Sequence, residues 1–226
     1  SFGSEAQFQT NNVVTDGITF DSNSNKVVIL YKHNDDSSKG KCIVGTVSGT
    51  SISFGTAVAF TTGNSRPQTL TFDSNSNKVV IAYSDNTNAN YLAAVVGTVS
   101  GTSISFGSKV AIANDTFTDP AIVFETQSNQ IVIAYTDGNS TDVGRIVAGN
   151  VSGTSITFDN PIEYNSRVSS SSMAFDPDTN QIALSFAPVN NSNKGTTKMI
   201  VPKGLAAFFK WIGFASSAIS DTATGT

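Results

Sequence analysis

Cysteine and histidine are almost absent from this sequence of 226 residues, which contains only Cys42 and His33. A single cysteine excludes a disulfide bond within the chain, and one residue of each type excludes a zinc site built from several cysteines and histidines. Serine–histidine catalysis also has little support, because the chain has no G-x-S-x-G motif and no second histidine. These absences exclude most metal and nucleophilic chemistry.

Charge is scarce as well. Charged residues make up 13% of the chain, and 17 acidic against 13 basic residues give a net charge of −4. This balance argues against non-specific binding to nucleic acid, because such binding depends on neutralising the phosphates. The most apolar stretch, residues 205–219, is too short for a membrane span and contains Lys210. The Ser-, Thr- and Asn-rich composition with one cysteine indicates an extracellular or virion-surface location, and a start at Ser1 without methionine indicates processing or a piece of a longer protein.

A tandem repeat organises the chain. One aromatic series, Phe2, Phe54, Phe106 and Phe158, has a spacing of 52 residues, and a second series, Phe20, Phe72, Phe124 and Phe175, has spacings of 52, 52 and 51. A fixed period of about fifty residues is typical of propellers, solenoids and arrays.

Each repeat predicts four short strands. In the second repeat they cover residues 68–72, 78–84, 91–99 and 103–112, which are rich in Val, Ile, Thr, Phe and Tyr and bounded by Asn, Ser and Gly clusters. Four antiparallel strands joined as hairpins are typical of a propeller blade.

The two ends of the array complement each other in this interpretation. Residues 2–9 resemble a lone fourth strand, and the last repeat supplies strands at 170–175, 181–186 and 196–201 but no continuation of the kind seen in the other repeats. We therefore predict an all-β, four-bladed β-propeller whose split last blade is closed by the N-terminal strand, which removes exposed sheet edges. The predicted domain spans residues 1–203, with blades at 11–62, 63–114, 115–166 and 167–203 plus 1–10, and a short apolar C-terminal extension follows at 204–226.

Two alternatives to this closure stay open. The N-terminal strand can complete the blade of a neighbouring molecule and give a head-to-tail fibre. The chain can also be a fragment of a longer ring or a stack that does not close.

The turns after the first strands have oxygen side chains at alternating positions, as calcium loops do. Asp21-Ser22-Asn23-Ser24-Asn25 is an example, and its equivalents begin at Asp73, Glu125 and Asp176. The Gly and the bidentate Glu of an EF-hand are absent, and side chains that bond their own backbone explain all four turns. We expect no cofactor and no metal, with calcium as the less favoured alternative.

The loops between second and third strands, at 31–41, 83–91, 135–145 and 187–197, vary while the strands stay nearly constant. Such variation on a rigid scaffold indicates ligand binding, with sequence drift as the equal alternative. The loops that join each fourth strand to the next unit are expected on the same face of the propeller, and they add Arg66 and Arg167. The candidate ligand-binding residues on this loop face are His33, Asp35, Arg66, Tyr83, Asp85, Asn88, Tyr91, Asp137 and Arg167.

The C-terminal extension contains the only tryptophan. Its candidate oligomer contacts are Phe208, Phe209, Trp211 and Phe214. An exposed apolar segment of this size predicts a contact surface for a partner, and packing on the protein's own face is the alternative.

Residues 95–107 (VVGTVSGTSISFG) together with 77–83 (NKVVIAY) resemble repeats in tail-fibre-like and other virion structural proteins of marine bacteriophages, and residues 211–225 resemble the segment that follows such repeats. The resemblance implies a non-enzymatic virion or extracellular filament protein that forms a homo-oligomer or larger assembly and contributes to adhesion and receptor binding. It supplies no catalytic residue.

Carbohydrate binding is the alternative function. In this interpretation the chain is a soluble, lectin-like propeller that binds a cell-surface glycan through its loop face. A hydrolase is disfavoured, because the sialidase-type Asp box is absent and Glu125 and Glu163 fall in turn or strand positions.

Overall fold

The computed structural model describes residues 2–189 and 194–201, and its architecture there is all-β with one 3-10 turn at Gly138–Ser140. The strands are β1 (Val13–Asp21), β2 (Lys26–His33), β3 (Lys39–Ser48), β4 (Ser51–Phe54), β5 (Val58–Ala59), β6 (Ser65–Asp73), β7 (Lys78–Asp85), β8 (Tyr91–Ser100), β9 (Ser103–Phe106), β10 (Val110–Glu125), β11 (Gln130–Asp137), β12 (Val143–Ser152), β13 (Ser155–Phe158), β14 (Ile162–Asn165), β15 (Val168–Asp176), β16 (Gln181–Pro188) and β17 (Thr196–Ile200). In the described residues each repeat therefore forms several strands and no α-helix, as its alternating pattern predicts.

Consecutive strands of each repeat pair antiparallel as a meander. Unit 1 comprises β1 to β5, unit 2 comprises β6 to β9 with the first part of β10, unit 3 comprises the rest of β10 with β11 to β14, and unit 4 comprises β15 to β17. The third and fourth strands of units 1 to 3 are joined by a tight turn with glycine at a positive φ, between 58° and 60°, at Gly49, Gly101 and Gly153. Glycine at the first central position of a two-residue hairpin turn adopts this conformation without steric cost.

The fourth strand of each of the first three units has two halves. In unit 1 both β4 and β5 pair with β3, and Gly55 lies in the interruption between them. A Cβ atom at Gly55 would lie 1.8 Å from the carbonyl oxygen of Thr102 in unit 2, so the next unit occupies the place of a side chain. In unit 2 the second half belongs to β10, which pairs first with β8 and then with β11. The predicted single strand at 103–112 is therefore interrupted.

Successive units pack face to face. The second strand of unit 2 is buried on both sides, with Val79 and Ile81 packed toward unit 1 and Val80 and Ala82 toward unit 3. A third apolar cluster joins unit 3 to unit 4. Strands that are covered on both faces have nearly continuous apolar sequences, which explains the KVVIAYS run at 78–84.

The predicted pairing of residues 2–9 with the last unit is wrong. Residues 2–12 form no strand, and β17 is at the end of the order β15-β16-β17 in the described residues. The ring of Phe8 instead packs on Tyr31 and Phe54, at centroid distances of 5.3 and 5.8 Å.

The physical reason is that Phe8 repeats the packing of Phe60, the residue that follows β5. Phe60, 52 residues after Phe8, contacts the equivalent rings of Tyr83 and Phe106 at 5.1 and 5.6 Å. Phe8 and Phe60 thus each pack on the unit that follows them in the chain. The N-terminal segment does the same on unit 1 and thereby leaves β17 without it.

The outer faces of the first and last units are partly uncovered. Ile18 is 66% exposed and Phe20 is 53% exposed, whereas Leu70 and Ile122, the equivalents of Ile18, are each 8% exposed because a preceding unit covers them. Met199 in unit 4 is 54% exposed. The C-terminal extension, including Phe208, Phe209, Trp211 and Phe214, lies outside the described residues.

Candidate functional site

The first strands of the four units come together around a polar cavity. Strand β6 packs between β1 and β10, and β10 packs in turn on β15. The cavity has a volume of about 280 Å³ and is lined by Asp16, Arg66, Gln68, Pro120 and Ser171. We call it the axial cavity, because Asp16, Gln68, Pro120 and Ser171 occupy the same position of the repeat, four residues before the second aromatic series.

Irregular strand pairing explains why these side chains point inward. The register of β1 with β2 shifts between Thr15 and Gly17, and that of β6 with β7 shifts between Pro67 and Thr69. The extra residues are therefore Asp16 and Gln68. A β-bulge re-aims a side chain and is common next to functional sites.

The other two units have shifts at the same place. In β10 the register shifts between Thr118 and Ala121, and in β15 it shifts between Val168 and Ser171. Pro120 falls within the first of these irregularities, where the missing N–H of proline leaves no ladder hydrogen bond unmade. All four first strands are thus irregular at the level of the cavity.

A second cavity of about 310 Å³ adjoins the first and shares Arg66 with it. Its lining comprises Arg66, Thr118, Thr136, Asp142, Val168, Ser169 and Val189. Arg66, Thr118 and Ser169 again share one repeat position, two residues before the residues of the first cavity. Hydroxyl, amide and charged side chains from successive positions of the first strands therefore surround both spaces.

Burial perturbs the acid of the axial cavity. The Oδ2 atom of Asp16 and the Oε1 atom of Gln68 are buried and have no hydrogen-bond partner in the described residues. Burial raises the pKa of Asp16 to about 6, and the positive charges of Arg66 and Lys32 only partly oppose it. Arg66 itself forms no ion pair within 4 Å in the described part of the chain, so its guanidinium is available to a ligand.

His33 and Asp35 lie away from this cavity, at the end of β2 and in the turn after it. His33 is buried, and its Nδ1 atom has no partner in the described residues. Asp35 accepts a hydrogen bond of 3.1 Å from the backbone N–H of Asn12, which ties the N-terminal segment to this turn. No group of three or more His, Cys, Asp or Glu side chains with metal-binding geometry occurs in the described residues.

The candidates of unit 2 other than Arg66 serve as packing and turn residues. Tyr83 is 1% exposed and packs on Phe60, and burial raises the pKa of its hydroxyl. Burial alone would raise the pKa of Asp85, but hydrogen bonds from Lys109 and Thr87 outweigh it and hold this pKa below its usual value. Asn88 is exposed in the following turn, and Tyr91 begins β8 half-buried.

In unit 3, Asp137 is buried and forms an ion pair with Arg145, with 2.7 Å between Nε and Oδ2. Hydrogen bonding to Asp137 raises the pKa of Arg145. Arg167 is exposed and lies 3.7 Å from Asp142, which lines the second cavity. Of the nine candidates, the structure thus places Arg66 in both cavities and Arg167 beside one of them.

In the four acidic turns each carboxylate bonds the backbone of its own turn, which is the interpretation favoured from the sequence. Asp21 Oδ1 accepts the backbone N–H groups of Asn23 and Ser24 at 2.9 and 3.0 Å, and its Oδ2 accepts the Ser24 hydroxyl at 2.7 Å. Asp73, Glu125 and Asp176 bond their own turns in the same way. These carboxylates therefore stabilise turns, as predicted from the sequence.

Asp16 and Gln68 were not among the sequence candidates. The sequence contains one signal for these two residues, which is the repeat position that they share with Pro120 and Ser171. Only the bulges show that this position faces the cavity.

No helix in the described residues is long and apolar enough to cross a membrane. No protein-family model matches the chain, and a search of curated proteins found no significant match.

Proposed function

We propose that this protein is a non-enzymatic adhesion and structural subunit, displayed outside the cell or on a virion, that binds a cell-surface saccharide in its axial cavity. The observation that carries the proposal is the convergence of four repeat-equivalent side chains on one polar cavity. The virion location rests on the resemblance of the repeats to tail-fibre-like proteins.

The same convergence supports an arrangement of the four units as blades around one axis. A linear stack would keep equivalent residues apart, whereas an axial arrangement brings them to a shared centre, as in a β-propeller. In this proposal the N-terminal segment does not close the ring, because it packs on unit 1.

The chemistry of the lining favours a saccharide with a carboxylate group. Gln68 and Ser171 have groups that can bond sugar hydroxyls, and Arg66 has the planar donors that match a carboxylate. A non-enzymatic role is supported by the lining of the axial cavity, in which Asp16 is the only carboxyl group among the described residues, since acid–base hydrolysis of glycosides uses two.

A glycan array with neutral and uronic- or sialic-acid-containing glycans tests this proposal. We expect wild-type protein to bind acidic glycans and Arg66→Gln to lose about tenfold to a hundredfold in affinity, the usual value of a charge-assisted hydrogen bond. Arg167→Gln is the matched control, because Arg167 is already near Asp142 outside the axial cavity. Absence of binding to any glycan, or equal loss in both variants, would contradict the proposal.

A further inference from the structure

Strand β17 presents an open edge where the other units have a fourth strand. In unit 3, β12 pairs with β13 from Gly149↔Phe158 to Ser152↔Ser155, across the turn that contains Gly153. Unit 4 has the order β15-β16-β17 with nothing beyond β17 in the described residues. An open edge of this kind accepts another strand unless the protein covers it.

The sequence after β17 keeps the spacing of the repeat. Gly204 follows Gly153 by 51 residues, and Phe209 follows Phe158 by 51. The second strands have the same offset, since Ile182 pairs with Ile200 in unit 4 as Ile131 pairs with Gly149 in unit 3. The turn glycine and the aromatic residue of a fourth strand therefore recur in register with β17.

An exchange of large and small residues supports this register. In units 1 to 3 the third strand has a glycine whose Cβ would lie 2.7 to 3.0 Å from the Cδ1 atom of an isoleucine in the fourth strand. These pairs are Gly45 with Ile52, Gly97 with Ile104 and Gly149 with Ile156. In unit 4 the glycine position holds Ile200, and the isoleucine position of the proposed register holds Ala207. The smaller residue makes room for the larger one.

We propose that residues 206–209 of the same chain bind the open edge of β17 as the fourth strand of unit 4, with Val201 opposite Phe208. Pro202 then lies opposite Ala207. The residues at the position of Pro202 in the other units do not donate their backbone N–H to the fourth strand, so the missing N–H of proline is tolerated there. The proposal goes beyond the adhesive function, because it assigns an occupant to this edge. With the edge occupied in cis, strand addition by another copy is blocked.

A pair of cysteines tests the register in the full-length chain. We expect Val201→Cys with Phe208→Cys to form a disulfide within one chain under mild oxidation, because opposite residues of antiparallel strands are close enough to be bridged. Val201→Cys with Ala207→Cys is the matched control and should stay reduced, because neighbouring side chains point to opposite faces. The natural Cys42 is fully buried, and burial raises the pKa of its thiol, so it does not compete.

Two results would overturn the proposal. One is equal or absent cross-linking in both variants, and the other is a disulfide between chains, which would show that a second copy occupies the edge. The mass of the product under non-reducing conditions distinguishes these outcomes.

Hydrogen exchange tests the pairing of residues 206–209 with β17 in the unmodified protein, without any cysteine variant. In unit 1 the N–H of Gly55 donates to Val44, so alternate residues of the third strand bond the fourth, and Val201 belongs to this set in unit 4. We expect its amide to exchange about tenfold or more slowly than an unpaired amide. Exchange at the unprotected rate would contradict the proposed pairing.

Discussion

Asp16 is a half-buried acid in the axial cavity, and its pKa of about 6 couples the stability of the protein to pH. A raised folded-state pKa means that the folded protein binds the proton more tightly than the unfolded chain does. The resulting stabilisation is complete below the ordinary value of 3.8 and is lost as the pH rises through about 6.

We therefore expect wild-type protein to lose about 1 kcal/mol of unfolding free energy between pH 4 and pH 7 relative to Asp16→Asn. Without solvent screening, the shift of the pKa from 3.8 to about 6 would give about 2.4 kcal/mol over this pH range, and the partial exposure of Asp16 reduces this value. Urea denaturation of both proteins at the two pH values measures the difference. Asp159→Asn, at an exposed position, should follow the wild-type pH dependence; the same flattening in this control would refute the assignment to Asp16.

The residues that line the axial cavity differ in how far the sequence reveals them. Arg66 could be selected from the sequence, because its loop and charge are visible there. Asp16 and Gln68 could not, because a bulge shifts the alternation of a strand by one residue and reverses the direction in which a side chain points. Tyr83 shows the opposite difficulty. Its ring chemistry suits a sugar, but packing against Phe60 buries it between the first two units.

At the scale of the elements, the repeat spacing was sufficient to predict most strands and their order. Runs such as 78–84 form strands because apolar residues are needed on both faces, and the acidic turns fold on their own side chains. The split of each fourth strand was not predictable from spacing. In units 1 and 2 it coincides with Gly55 and Gly107, where a carbonyl group of the next unit takes the place of a side chain, whereas in unit 3 the equivalent position holds Asp159.

Gly107 offers a direct test of this contact. A Cβ atom there would lie 1.8 Å from the carbonyl oxygen of Thr154, so Gly107→Ala must displace unit 3 from unit 2. We expect a loss of about 2 to 3 kcal/mol in unfolding free energy, measured by urea denaturation. Gly195→Ala, where a Cβ atom meets no other described residue within 4 Å, should change stability by less than about 0.5 kcal/mol. Similar midpoints for the two variants would contradict the close approach.

At the scale of the whole molecule, the sequence pattern alone could not show how the ends of the array are arranged. A period of 52 residues is compatible with a ring, a stack or a longer ring, because each interface involves only neighbouring units. The N-terminal segment was expected at the last unit for its strand-like sequence. Its contacts with Tyr31 and Phe54 place it on unit 1, where Phe8 repeats the role of Phe60.

In this arrangement no other unit covers the outer face of unit 1 in the described residues, and Ile18 lies exposed on that face. Ile18 is 66% exposed and its equivalent Ile122 is 8% exposed, so the same substitution should have different effects at the two positions. We expect Ile18→Lys to change the unfolding free energy by less than about 0.5 kcal/mol and to reduce self-association, which an uncovered apolar face promotes.

Ile122→Lys should instead cost more than about 3 kcal/mol, because it buries an unpaired charge between units 2 and 3. Urea denaturation measures both changes, and sedimentation velocity over a range of protein concentrations measures self-association. An equally large loss of stability in Ile18→Lys would mean that the face of unit 1 is covered within the folded chain.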